Sequence, residues 1–200
     1  MGSAFQTIAD LEATAEEAGA LGERVGVWLV AEGIATPERE PSAPDKTWYL
    51  PGPRWSHVTD EPRSLGTDGL AVVTGRTVFF GSPGTGGSPI CPHCATVVPD
   101  RRSSFSRAMD AWWATGVAEV RCPACGRTVP LPAWEWENDF FAFACLGIEH
   151  WNGPPLRPAF IAELTEVLGH RTRVLAGRIW RGDGAQPSSR RRSLRRKRLS

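Results

Sequence analysis

Two short cysteine motifs constrain this chain more than any other feature of its sequence. They are Cys91-Pro92-His93-Cys94 and Cys122-Pro123-Ala124-Cys125, and 27 residues separate them. A tight turn between paired cysteines points both sulfur atoms at one ion, and proline at the first intervening position favours such a turn. Each pair can supply half of a tetrahedral set of thiolates, which is the arrangement of structural zinc sites. The spacing therefore predicts a Zn²⁺ site whose ligands are Cys91, Cys94, Cys122 and Cys125.

Four thiolates would fill the coordination sphere of zinc and leave no position for water or substrate. We therefore expect a structural metal and assign no catalytic residue. The competing interpretation is redox chemistry, because Cys-Pro-His-Cys resembles the active-site motif of thioredoxin-fold disulfide oxidases. That motif opens a helix whose N-terminus stabilises the thiolate. The segment that follows here, Ala95-Thr96-Val97-Val98-Pro99, is instead typical of extended chain ended by proline.

The second cysteine motif lies between two predicted short strands, residues 117–120 and 127–131. Over residues 88–131 this arrangement resembles the zinc ribbon (rubredoxin-like) class, and the resemblance implies a small β module held by the metal. A composition rich in Ala, Arg, Gly, Pro and Trp with little Lys is similar to that of high-GC actinobacterial proteins. The whole chain thus resembles actinobacterial zinc-ribbon proteins, a resemblance that implies no particular activity. His93 is expected to face solvent, although it could replace a thiolate, and Cys145 is expected to be a small core residue.

The composition is that of a folded protein, with 41% hydrophobic and 22% charged residues in a chain of 200. The longest apolar run, residues 140–148, is too short to cross a bilayer. The start of the chain lacks the basic and apolar regions of a secretory signal, so we expect a cytoplasmic protein with no membrane contact.

The net charge of +1 conceals an uneven distribution. A cluster of seven basic residues lies near the C-terminus, and the rest of the chain has a net charge of −6. Such a tail is typical of a solvated, disordered end, and the alternative is weak, non-specific binding of nucleic-acid phosphates. The seven are Arg190, Arg191, Arg192, Arg195, Arg196, Lys197 and Arg198.

Hydrophobic periodicity predicts an α+β fold, a small mixed sheet with helices on one side and a zinc ribbon insertion at 88–131. An N-terminal helical segment is expected at 1–34, with helices at 3–18 and 24–34, and a Pro-rich irregular segment at 35–69. Residues 70–80 are predicted to form a hairpin that turns at Gly75, and residues 103–115 a helix. The C-terminal third predicts a strand at 140–148, a helix at 156–168 and a strand at 171–180, with the two strands as parallel neighbours. The α+β domain is expected to span 70–182, and a disordered basic tail to follow at 183–200.

Two other segments have the appearance of functional sites. Residues 81–88, Gly-Ser-Pro-Gly-Thr-Gly-Gly-Ser, resemble the Walker A loop of ATPases, but Gly87 stands at the lysine position and Pro89 follows where a helix should begin. Acidic residues and a histidine bracket the apolar run at 140–148 and could serve acid–base chemistry if a cleft brought them together. These residues are Glu135, Glu137, Asp139, Glu149 and His150.

The sequence therefore favours a non-enzymatic cytoplasmic protein with a structural zinc site, which acts by binding another protein. One alternative is a nucleic-acid-associated protein that uses its Arg-rich tail. Two further alternatives are a nucleotide-binding protein with a degenerate Walker A-like loop and an enzyme that uses the acidic residues around 140–148. The identity of the partner and the oligomeric state do not follow from these patterns.

Overall fold

The structure, a computed structural model, describes residues 2–43, 45–60, 69–81, 87–99 and 103–180. Three helices and ten strands lie within them, joined by short 3₁₀ turns. In chain order they are β1 (Gly2–Asp10), α1 (Ala18–Ala31), β2 (Ala35–Ala43), β3 (Lys46–Pro51), β4 (Leu70–Phe80), β5 (Pro89–Ile90), α2 (Ser103–Thr115), β6 (Glu119–Arg121), β7 (Thr128–Pro130), β8 (Glu135–Trp136), β9 (Phe141–Trp151), α3 (Pro158–Leu168) and β10 (Thr172–Trp180).

The main sheet has six strands in the order β10-β1-β9-β4-β3-β2, and every neighbouring pair is antiparallel. On one face Ile8, Ile148 and Val72 lie side by side on β1, β9 and β4. Helices α1 and α3 cover this face, and the shared core also contains Leu29 and Phe160, both fully buried. The predicted α+β class, with α1 and α3 on the same side of the sheet, is confirmed.

Strands β4 and β9 bend, and their bent parts cover the other face of the same sheet. Their pairing shifts register between Thr74 and Thr77. Val73 and Phe79 would lie about 20 Å apart in a straight strand, yet both belong to one buried cluster on this face. The Phe79 ring occupies the space in which a Cβ at Gly147 would lie. We call the folded-back part, residues 77–81 of β4 with 140–144 of β9, the arm.

The prediction of a helix at 3–18 is wrong, since residues 2–10 form strand β1. This strand lies between β9 and β10 and is buried on both faces, so its apolar residues do not alternate. Phe5, Ile8 and Ala9 therefore imitate a helical period. The signal that starts α1 is farther along: the Thr14 hydroxyl accepts the Glu17 N–H at 3.2 Å, and the Glu17 carboxylate accepts the Thr14 N–H at 3.2 Å. This reciprocal pair is a capping box, and the helix predicted at 24–34 overlaps α1.

The prediction of an irregular segment at 35–69 is also wrong for its first half, which forms β2 and β3. Proline is tolerated in β2 because that strand lies at the edge of the sheet, where one side of the backbone needs no partner. The register of its pairing with β3 shifts twice, once between Ala35 and Arg39 and once between Pro41 and Ala43. Residues 61–68 lie outside the described ranges.

Two topological predictions in the rest of the chain are wrong. Residues 70–80 form the single strand β4 rather than a hairpin, and Gly75, with φ +93°, lies at the register shift. Strands β9 and β10 are not neighbours, because β1 lies between them and is antiparallel to both. The predicted helices at 103–115 and 156–168 and the strands at 117–120, 127–131, 140–148 and 171–180 match α2, α3, β6, β7, β9 and β10.

Candidate metal centre

The cysteine motifs lie in a module inserted between β4 and β9, at the end of the arm. Two small sheets, β5 with β8 and β6 with β7, form it together with helix α2. Its core is aromatic: Phe105 packs edge-to-face on Trp134 and Trp136, and Trp112 packs on Phe143 of the arm. The module therefore has a buried cluster separate from the core under α1 and α3.

Each cysteine pair forms the same backbone turn. The Ala95 N–H donates to the Cys91 carbonyl at 2.9 Å, and the Gly126 N–H donates to the Cys122 carbonyl at the same distance. The first cysteine of each turn then donates its own N–H to a carbonyl five residues on, Cys91 to Thr96 and Cys122 to Arg127. These bonds make the two turns equivalent and hold both sulfur atoms of each pair on the same side.

The four sulfur atoms converge, and all lie within 4.8 Å of one another. Two of the sulfur–sulfur contacts join different turns, Cys91 to Cys125 and Cys94 to Cys122, at 3.8 Å in both cases. Metal–sulfur distances of about 2.3 Å in a tetrahedron require sulfur–sulfur edges of about 3.8 Å. The structure thus brings all four predicted ligands into a spacing that could hold one metal ion.

Local hydrogen bonds, burial and neighbouring thiols shift the pKa values of three of the four cysteines. Hydrogen bonding to the Thr96 side chain and backbone lowers the pKa of Cys94 to about 6. Backbone hydrogen bonds from Cys125 and Ala124 lower the pKa of Cys122. An Arg127 backbone N–H lowers the pKa of Cys125, but burial and the three neighbouring thiols outweigh it and raise that pKa to about 11. A cation bound between the four sulfur atoms would stabilise all of them as thiolates, because a metal-ligating cysteine must be deprotonated.

The remaining sulfur and nitrogen candidates near the motifs take no part in this cluster. His93 lies on the outside of its turn, where its Nδ1 is 3.3 Å from Nη1 of Arg127. Cys145 lies apart in the core beside α1 and α3, and burial raises the pKa of its thiol. Both placements agree with the expectations from sequence.

The acidic residues around 140–148 are separated and engaged elsewhere. Asp139 pairs with Arg173 at 3.4 Å, while Glu149 pairs with Lys46 at 2.6 Å. Glu135 and Asp139 precede the eleven-residue strand β9, whereas His150 is buried near its other end, with Nδ1 3.3 Å from the Gly69 carbonyl. The convergence of Glu135, Asp139 and His150 that an acid–base site requires does not occur.

The described part of the Walker A-like loop also lacks the surroundings of a phosphate site. Residues 82–86 lie outside the described ranges. The Ser88 N–H already donates to the Glu137 carboxylate at 3.0 Å, and a Cβ at Gly87 would overlap Phe140. Ser88 leads into β5 rather than into a helix whose N-terminus could bind phosphate.

Two residues that sequence reasoning missed support the module. Thr96 places its hydroxyl 3.3 Å from the Cys94 sulfur. Arg76, at the register shift of β4, donates to the carbonyls of Trp113 and Ala114 at the C-terminal end of α2, at 3.2 Å each. A positive charge there complements the helix dipole. No local pattern signals Arg76, because its partners lie more than 35 residues away.

No family model, curated protein or solved structure matches this chain. Within the described ranges, no helix has the length and apolar character needed to cross a membrane. The geometry of the module therefore carries the functional assignment.

Proposed function

We propose that Cys91, Cys94, Cys122 and Cys125 bind one structural Zn²⁺ and that the protein acts by binding another protein through the metal module. The convergence of four sulfur atoms at tetrahedral spacing is the observation that carries the zinc assignment. Zinc favours a closed set of four thiolates and needs no redox partner. A reducing compartment keeps cysteines such as these in the thiol form needed for metal binding, which supports a cytoplasmic location.

The zinc would act by holding the module together. The two turns come from distant parts of the chain and share no ladder, since Cys91 follows β5 whereas Cys122 follows β6. Metal binding in small zinc modules contributes about 10–16 kcal/mol of apparent free energy. That contribution fixes the positions of α2 and of the β6–β7 hairpin, and hence the surface that the module presents.

A binding role rests on the exposed apolar side chains of the module. Among the described residues, five large apolar side chains are exposed, and Val97, Trp113 and Val117 of the module are three of them. Trp113 is 51% exposed and Val117 is 74% exposed. Exposed tryptophan is enriched at the energetic centres of protein interfaces. The closed metal site and the separated acidic residues give no comparable support for catalysis.

The zinc assignment is tested by elemental analysis of protein purified without added metal or chelator. We expect one zinc per chain, and none in a Cys91→Ser/Cys122→Ser variant. Cys145→Ser is the matched control and should keep its zinc, because Cys145 lies outside the cluster. A stably folded wild-type protein without metal would contradict the assignment.

The binding role is tested by cross-linking the full chain in an extract of its source organism at near-physiological salt. We expect a reproducible partner that is captured by the wild type and lost in Trp113→Ala. Val27→Ala is the control, because Val27 is an exposed apolar residue of α1 outside the module. A partner retained by Trp113→Ala, or no reproducible partner, would contradict the proposal.

The second candidate function is nucleic-acid association through the basic cluster at 190–198. The charge of that cluster favours it, and the residues lie outside the described ranges. Binding that depends on this cluster should weaken steeply with salt. A variant that ends at residue 189 and binds DNA and RNA as well as the full chain would rule it out.

A further inference from the structure

A cavity of about 320 Å³ lies where the metal module meets the main sheet. Its walls come from the segment that leads into the arm, from β9, from the start of β10 and from the residue just before β10. They include Trp134, Glu135, Phe141, Phe143, Arg171 and Arg173. Ligand clefts have volumes of about 300–1,000 Å³ and form preferentially at junctions of this kind. None of these residues belongs to the metal centre.

Two arginine side chains on the walls keep hydrogen-bond donors that the described residues do not use. Arg171 uses its Nε for Glu12, at 2.6 Å, and Arg173 uses Nε for Asp139 and Nη1 for the Phe141 carbonyl. Among the described residues, both terminal nitrogens of Arg171 and Nη2 of Arg173 therefore have no acceptor. A guanidinium carries five N–H donors, so each arginine keeps donors for a further partner.

The character of the walls indicates the class of ligand. Phe141 and Phe143 supply flat apolar surface, while Glu135 is the one carboxylate among the cavity-lining residues described. Two arginines with spare donors match the paired oxygens of a carboxylate or phosphate. We infer that this cavity binds a small organic oxyanion, a carboxylate or phosphate joined to a flat apolar group, between Arg171, Arg173 and the phenylalanine rings.

The test is a calorimetric titration of the metal-loaded full chain with benzoate, with inorganic phosphate and with benzylamine. Benzoate should bind saturably with Kd at or below about 1 mM, and more tightly than phosphate because the rings contribute. Phosphate binding without benzoate binding would contradict the inferred ligand class, because the cavity would then bind an oxyanion without the flat apolar group. Benzylamine, which has the ring and the opposite charge, should not bind, and equal binding of benzylamine would overturn the inference.

Matched variants locate the binding. Arg171→Gln and Arg173→Gln should each weaken benzoate binding several-fold, and the double variant at least about tenfold, equivalent to about 1.4 kcal/mol. Arg178→Gln removes the same charge from β10 outside this cavity and should have no effect. Failure of every oxyanion to bind, or unchanged affinity in the arginine double variant, would overturn the inference and leave the zinc assignment unaffected.

Discussion

Two residues of the metal module occupy equivalent backbone positions with different side chains. Ala95 follows the first cysteine pair with φ +55°, and Gly126 follows the second with φ +74°. Both donate the N–H that closes the turn. The left-handed region suits glycine, whereas alanine there carries steric strain of about 1 kcal/mol or more. The first turn is therefore the more strained of the two cysteine turns.

Ala95→Gly should relieve this strain and stabilise the metal-loaded protein by about 0.5–1 kcal/mol, after allowance for the greater freedom of glycine in the unfolded chain. Gly126→Ala should have the opposite effect, with a similar magnitude. Equilibrium urea denaturation at fixed free zinc measures both. A loss of stability in Ala95→Gly would show that the turn does not carry the strain inferred from its φ.

Gly147 has a different requirement, because the space beside its Cα is filled by the Phe79 ring. Gly147→Ala should displace the arm and destabilise the protein by about 1–3 kcal/mol, as overpacked cores do. Gly19→Ala is the control, since a Cβ at Gly19 of α1 meets no atom within 4 Å. Partial rescue of Gly147→Ala by Phe79→Leu would identify the ring as the cause, and equal stability of the two glycine variants would contradict this packing.

At the scale of elements, α2 depends on a contact from outside its own sequence. The Gly116 N–H donates to the Trp112 carbonyl at 2.7 Å and closes the last turn, with Gly116 at φ +79°. Arg76 then binds the carbonyls of Trp113 and Ala114 that this turn leaves open. The bend of β4 and the C-terminal end of α2 are thereby connected through the Arg76 side chain.

Arg76→Ala should destabilise the C-terminal turn of α2 by about 1 kcal/mol, because two carbonyls lose their donor and the helix dipole loses a positive charge. Hydrogen exchange of the backbone amides in α2 measures the effect. Arg107→Ala, an exposed arginine on the same helix, is the control and should leave the exchange of that turn unchanged. Identical exchange rates in Arg76→Ala and the wild type would rule out the capping role.

At the scale of the whole molecule, two buried cores are arranged at opposite ends of the bent strands. The core under α1 and α3 contains no residue of the module, whereas the module core includes two of the cysteines, Cys91 and Cys122. The first core has the extended sheet to support it. The second consists of two-stranded sheets and one helix, which are too small to be stable without additional constraints.

Removal of the proposed Zn²⁺ should therefore unfold the module and leave the main sheet folded. Chelation should increase the solvent exposure of Trp112, Trp134 and Trp136, while Trp55 of the main core stays buried. Hydrogen exchange with and without chelator distinguishes the two parts. Loss of protection in α1 and α3 to the same extent as in α2 would contradict independent cores.

Acidification should release the metal, because each ligand must be a thiolate and protons compete with the ion. The apparent zinc affinity should fall as pH falls, by up to about tenfold per pH unit for each thiol that takes up a proton. A competition titration with a zinc chelator between pH 8 and pH 6, a range of about two units, measures the slope. Affinity that is independent of pH would indicate that the four sulfurs are not the ligands.

Local sequence determined the two cysteine turns and most of the C-terminal elements. Cysteines three positions apart around a proline turn converge whatever surrounds them, and α2 and α3 carry an apolar stripe with a glycine at the end. Strand β9 is also recognisable, because a long apolar run indicates burial on both faces. These features depend on residues within a few positions of one another.

Tertiary structure decided the placement of β1, the bend of β4 and β9, and the meeting of the two cysteine turns. Burial of both faces removed the alternation that would have identified β1, and Gly75 is compatible with either a hairpin or a register shift until the partner strand is known. The sulfur cluster likewise forms through contacts between residues about 30 positions apart. The physical reason is the same in each case: the stabilising contacts are long-range, and no local pattern encodes which distant residues will supply them.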